Sequence, residues 1–375
     1  MSDFKQRVST IVGSIRINHS RVRVETAREM ERQRRIDALA DMYDTIEDMR
    51  GAYTEDNILD DLGIKVEKLN VTGDSGAVSG TQSFFEPLYQ STLDENKLAS
   101  DKETIADRDC GLIQVMNRTD IDTADCLGCE LAFRATYLPR SGPLKERNTE
   151  RTRYAGLSGL RKWRIRDGLS KCMLDAAFHY QTFYSEHPRY SPVHAWEFKN
   201  REEKPHLMLS LKHGIAHEDK ILRGELLTIL AIMQSRMPWP MFKDHVIVPI
   251  MLFSFIGHSG RIIQAHYNGH TLVLCKSNIF RFLNGRTAVY NMDHFVRYVA
   301  SAPEGDTRSP SHATTAEQAR GPDGATASPS SLPIRPKDAA YRSSMGFGRR
   351  KSLMGVFSRR RASSQENIDP SESSS

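Results

Sequence analysis

The chain has 375 residues, 39% of them apolar, and a formal net charge of +5 from 52 basic and 47 acidic residues; this leaves room for one to three domains, with an apolar share below that of a wholly globular protein. The near balance of charge removes any whole-chain argument for nucleic acid, and the longest apolar run, Val246 to Ile256, is about half of what a bilayer-spanning helix needs. Five cysteines (Cys110, Cys126, Cys129, Cys172 and Cys275), with no apolar signal segment at the start, suit reduced thiols in a cytosolic or nuclear protein better than a disulfide framework.

In chain order, the first element is an amphipathic helix over about 20–50. Ile36, Leu39, Tyr43 and Ile46 recur at spacings of three and four, Ser20 can cap the start and Gly51 the end. The stripe covers less than two heptads, which favours docking on its own domain over a coiled-coil dimer. Residues 51–154 are rich in Gly, Ser, Thr, Asp and Glu and read as a loop-rich, partly disordered segment.

A core domain is expected over about 155–300. Leu169, Cys172, Met173, Ala176 and Tyr180 mark one helix face, preceded by Arg161, Lys162, Arg164 and Arg166; these cations oppose a helix dipole, so the helix is expected to begin after Asp167. His194–Lys199 alternates like a half-buried strand, and Leu207–Leu211 suggests another. Asp219 to Met237, apolar nearly all round and stopped by Pro238, predicts a buried helix capped by Asp219. Val246–Lys276 then gives three strands, with Asn268-Gly269 as a hairpin signal, and Asn291 can cap a last helix carrying Met292, Phe295, Val296 and Val299. The fold class is therefore α/β or α+β: a mixed sheet with a buried central helix, an N-terminal helix and, over 301–375, a disordered basic Ser/Pro-rich tail.

The sequence offers few candidate sites. Glu197-Phe198-Lys199 matches the (Asp/Glu)-x-Lys half of the PD-(D/E)XK nuclease pattern, in which two carboxylates hold Mg²⁺ and a lysine helps activate water. The second carboxylate is missing from the pattern: Asp167 lies in a basic context and Asp175 within the predicted helix. The plainer reading is a solvated ion pair worth at most ~1 kcal/mol. Cys126-Leu127-Gly128-Cys129 has the spacing of half a zinc site but lacks a second pair, and nearby acids disfavour thiolate chemistry. His213 and His217, four apart, lack the glutamate of a His-Glu-x-x-His site, and His206, His258, His266 and His270 receive no role. No metal or cofactor is implied.

The tail carries two cationic triplets, Arg349-Arg350-Lys351 and Arg359-Arg360-Arg361, with no acid between them. They suit nuclear import, or contact with nucleic acid or an anionic surface, and they place Ser352 and Ser363 in basophilic-kinase contexts where a phosphate would weaken both uses.

The runs Arg223-Gly224-Glu225-Leu226-Leu227, Val248–Phe255, Gly260–Tyr267 and Leu272-Val273-Leu274 resemble a widespread class of uncharacterised proteins of filamentous fungi, over about 193–307. The resemblance implies a shared domain and a fungal origin and brings no catalytic residues. The layout also looks like a decayed restriction-endonuclease-like core. The expectation is an intracellular, non-catalytic binding or regulatory module whose partner is a protein; a degenerate Mg²⁺-dependent nuclease using Glu197 and Lys199 is the alternative.

Overall fold

The architecture is that of a computed structural model, which describes residues 27–71, 83–96, 119–138, 156–166, 190–200, 204–215, 218–283 and 285–309. Along the chain these form α1 (27–47), α2 (Asp56–Asp61), β1 (Ile64–Lys68), β2 (Phe85–Glu86), α3 (Gln90–Glu95), α4 (Asp120–Ala132), α5 (Leu157–Leu160), β3 (Trp163–Arg166), β4 (Tyr190–Phe198) and β5 (Leu207–His213). There follow α6 (Arg223–Arg236), β6 (Ile250–Ile256), β7 (Ser259–Tyr267), β8 (Leu272–Lys276), β9 (Phe280–Arg281), α7 (Gly285–Val299) and β10 (Ala302–Pro303).

One mixed sheet runs in the order β1-β8-β7-β6-β5-β4-β3, with β9 beside the start of β7. The β5–β6 and β1–β8 pairs are parallel and the others antiparallel. Joining parallel β5 and β6 needs a crossover, and α6 supplies it. Side chains leave alternate faces of each strand. Met251, Phe253 and Phe255 of β6 face one core together with α4 and α7, while Ile250 and Leu252 face the other with α1 and α6. Both faces are covered, which is why Ile250–Ile256 is an unbroken apolar run and every residue of it is buried.

The expected class, a mixed sheet with a buried helix, is the observed one. α6 is buried at every position from Gly224 to Arg236, so its apolar residues have no polar side to leave free. It begins later than expected, because Asp219 does not cap it. The Glu225 carboxylate takes the Leu222 backbone N–H instead, at 2.9 Å. Asn268-Gly269 forms the β7–β8 turn, with Gly269 at φ 107 and the Asn268 side chain accepting from the N–H groups of His270 and Thr271.

α1 docks on its own fold through Leu39, Met42, Tyr43 and Ile46. Its N-terminal half is held by arginines, which the apolar pattern does not report. Arg35 is buried and donates to the carbonyls of Val246 (3.0 Å), Tyr267 (3.1 Å) and Asn268 (2.9 Å), and Arg32 reaches the carbonyl of Met237. Ser20 lies outside the described residues.

Several expectations need correction. The stretch read as loop-rich supplies edge strand β1 and the 13-residue helix α4, whose Leu127 and Leu131 enter the core. Residues 163–166, expected to precede a helix, are edge strand β3: Trp163 and Ile165 turn inward, and the register sets Arg164 opposite Glu197. The helix expected after Asp167 lies outside the described residues. α7 starts six residues before Asn291, whose amide instead donates to the Arg281 carbonyl. The first residues of the expected tail are structured to Ser309, with β10 paired to β2; the rest of the tail lies outside the described residues.

The α6 helix comes so close to β4 that a Cβ on Gly224 would sit 2.8 Å from the Tyr190 ring. Alanine is the better helix former by roughly 1 kcal/mol, yet forcing a methyl against a packed ring costs about 1–3 kcal/mol. Gly224→Ala should therefore lower the urea midpoint; an unchanged or raised midpoint would mean that the two elements are not in this contact.

Candidate functional site

Two buried ionic clusters lie at opposite ends of the central strands. The first sits where parallel β5 and β6 end, beside the start of α6, the usual position for ligand crevices in open α/β sheets. Glu225 and Arg261 are both fully buried and form a two-armed pair, Nε to Oε1 at 2.8 Å and Nη2 to Oε2 at 2.5 Å. Arg261 also donates to the Lys220 carbonyl at 2.7 Å. Burial alone would push the Glu225 carboxyl up; the Arg261 guanidinium outweighs it and, with His213 and Ser254, holds the carboxyl below its ordinary value. Burial depresses the neighbouring His213 to about 4, so it stays neutral at physiological pH.

Outside this pair opens a cleft of about 500 Å³, lined by Asp56, Val66, Glu218, Asp219, Lys220, Ile221 and Lys276. Its charges are largely matched: the Lys276 ammonium donates to the Asp219 carboxylate at 2.8 Å, and Lys220 to Glu55 at 3.0 Å. Such a cleft suits recognition of a polar group. The one carboxylate deep beneath it is occupied by Arg261 and by a helix N-terminus, and so is not placed to act as a base.

The second cluster contains Glu197. Neither earlier reading of this residue survives: it is not an exposed metal ligand and not a solvated partner of Lys199. Its carboxylate is buried, accepting from Arg166 Nε at 3.0 Å and Arg236 Nη1 at 3.3 Å. Arg236, also fully buried, donates to the Pro205 carbonyl and lies over the rings of Trp239 and Phe242, at 5.2 and 4.9 Å. Lys199 falls one residue beyond β4 and is exposed. The expected shared strand face does not form because burial covers both sides of β4 from Ala195 to Phe198. Asp167 and Asp175 lie outside the described residues, and among the described residues no group of three or more His, Cys, Asp or Glu is arranged to hold a metal ion.

Cys126 and Cys129 lie on helix α4, within the stretch read as loop-rich. Burial first, then the Asp125 carboxylate, raises the Cys129 thiol above its ordinary value, against nucleophilic chemistry. His258 and His270 flank the turns on either side of β7. His217, Ser352, Ser363 and both basic triplets lie outside the described residues.

The Glu225–Arg261 pair has no signature in the sequence. Its members lie 36 residues apart, and only the position of Glu225, three residues after Leu222 at a helix start, hints at a local role. Comparison of the chain with protein families, with curated proteins and with solved structures gives no match.

Proposed function

We propose that the chain is a non-catalytic binding module, with a basic, phosphorylatable C-terminal segment as its regulatory part. The observation that carries this reading is the placement of Glu197. A Mg²⁺ nuclease would need its carboxylate free to meet the ion, and here it lies between two guanidiniums inside the protein. The surface adds a second reason. Residues 37–61 carry nine acidic residues and one basic one, and all nine acids are exposed. This local excess of negative charge, of which Glu55 is paired with Lys220, disfavours phosphodiester backbones along this stretch and supports a protein partner over nucleic acid there. Contact with an anionic surface or nucleic acid belongs to Arg349, Arg350, Lys351, Arg359, Arg360 and Arg361, with Ser352 and Ser363 as the modification sites that weaken it. No helix among the described residues is long and apolar enough to cross a membrane.

The test is a cleavage assay of the purified chain on plasmid and on single-stranded DNA and RNA with millimolar Mg²⁺ or Mn²⁺, beside Glu197→Gln. The expected result is no metal-dependent cleavage by either protein. Cleavage by the native chain that disappears in the variant would replace this reading with the nuclease.

A further inference from the structure

Residues 83–86 and 301–307 close over the end of the sheet at which β5 and β6 begin. Among the described residues their strands, β2 and β10, pair with each other and with no other strand. They are tied to the body by Phe84 and Phe85, both buried in the apolar core with Phe85 against the Trp163 and His206 rings, and by a small set of polar bonds. The His206 ring donates from Nε2 to the Glu304 carbonyl at 3.0 Å, His245 Nδ1 meets the Thr307 hydroxyl at 2.6 Å, and the Thr307 carbonyl takes the Val246 and Ile247 N–H groups at 2.8 and 3.1 Å. Trp163 Nε1 holds the Ser301 carbonyl at 2.8 Å. Between them the Phe84 ring lies against His266 at 4.8 Å and His206 at 6.2 Å, and Gly305, at φ 74, passes so close that a Cβ there would be 2.7 Å from the same ring.

We infer that these two segments form an acid-released clasp, in which His206 and His266, buried on either side of Phe84, bind protons only when the clasp is open. The groups facing His206 are the Lys204 ammonium, His245 and backbone carbonyls, none of which can neutralise an imidazolium; Glu67 faces His266. The clasp's own carboxylates are engaged elsewhere or exposed: Glu86 accepts from the Tyr89 hydroxyl, Asp306 from the Arg308 and Ser309 N–H groups, and Glu304 is exposed.

The sign follows from linkage. Above the ordinary histidine value of about 6.5 both states are neutral and pH has no effect. Burial, helped by Lys204, holds His206 in the closed clasp down to about 3, and burial holds His266 to about 4. Below about 6.5 the open state therefore takes up protons that the closed state refuses, and closure weakens about tenfold per pH unit for each histidine.

The test is hydrogen exchange of the full chain, read by peptide and corrected for intrinsic rates, between about pH 7.5 and 5. Protection of peptides covering 83–86 and 301–309 should fall by at least tenfold per unit below about 6.5, while β6 and β7 keep theirs. His206→Gln, which retains an N–H for the Glu304 carbonyl, should remove about a factor of ten per unit from that slope. If that variant does not fold, the native profile and His266→Gln carry the test. Protection that stays flat, that falls only in step with β6 and β7, or that keeps its full slope in a folded variant overturns the clasp.

Discussion

Arg261→Met should destabilise the protein by roughly 3–5 kcal/mol at neutral pH, because it leaves the Glu225 carboxylate fully buried with no opposing charge. The Leu222 N–H still satisfies a lone pair, and the neighbouring Ser254 and neutral His213 carry no charge to balance the carboxylate. In the variant the carboxyl can escape only by taking up a proton, so its folded-state pKa rises above the unfolded value. The deficit should then shrink as pH falls through that raised pKa, the reverse of the native protein, where a lowered Glu225 favours stability above the ordinary carboxylate range. A second variant, Glu225→Gln with Arg261→Met, should recover most of the loss, since breaking a buried pair costs far more than replacing it. Denaturant unfolding across pH decides the matter: a single-variant cost under about 1 kcal/mol would show that the pair is not buried as described.

Glu197→Ala should cost somewhat less, about 3 kcal/mol, and for a reason specific to its partners. Arg236 loses its carboxylate but keeps the Pro205 carbonyl and the faces of Trp239 and Phe242, while Arg166 sits near enough to the surface to turn to water. The loss should therefore appear with no change in unfolding slope, and Trp239 emission should shift as Arg236 relaxes away from the ring. A variant as stable as the native protein, with unaltered emission, would falsify the structural role given to Glu197.

What the sequence made legible is what local pattern can carry. The apolar run of β6, the turn at Asn268-Gly269, α6 with apolar residues nearly all round it and the stripe of α1 each follow from periods of two or 3.6 with standard stops, and each is in place. Elements whose inner positions are few or flanked by charge were not legible. β3 is Trp-Arg-Ile-Arg, two inward residues among cations, and α4 interleaves its core positions with Asp120, Asp122, Asp125 and Glu130. Buried arginines were the larger omission. Arg35, Arg236, Arg261 and Arg297 lie fully inside, each meeting a carboxylate or carbonyls from distant sequence, so nothing within a window of the chain distinguishes them from surface cations. The Glu-x-Lys motif misled for the same reason: spacing fixes a strand face, whereas the partner across the fold decides whether that face meets water or a guanidinium.

The account stands on the Glu197 carboxylate being an internal counterion. Its most direct test is Mn²⁺ binding by the full chain, measured by calorimetric titration for the native protein and for Glu197→Gln, with thermal midpoints recorded with and without the ion. The account predicts a lower midpoint for the variant, no stabilisation of the native protein by Mn²⁺, and the same titration for both. Mn²⁺ that raises the native midpoint and binds in a manner lost with Glu197 would contradict it.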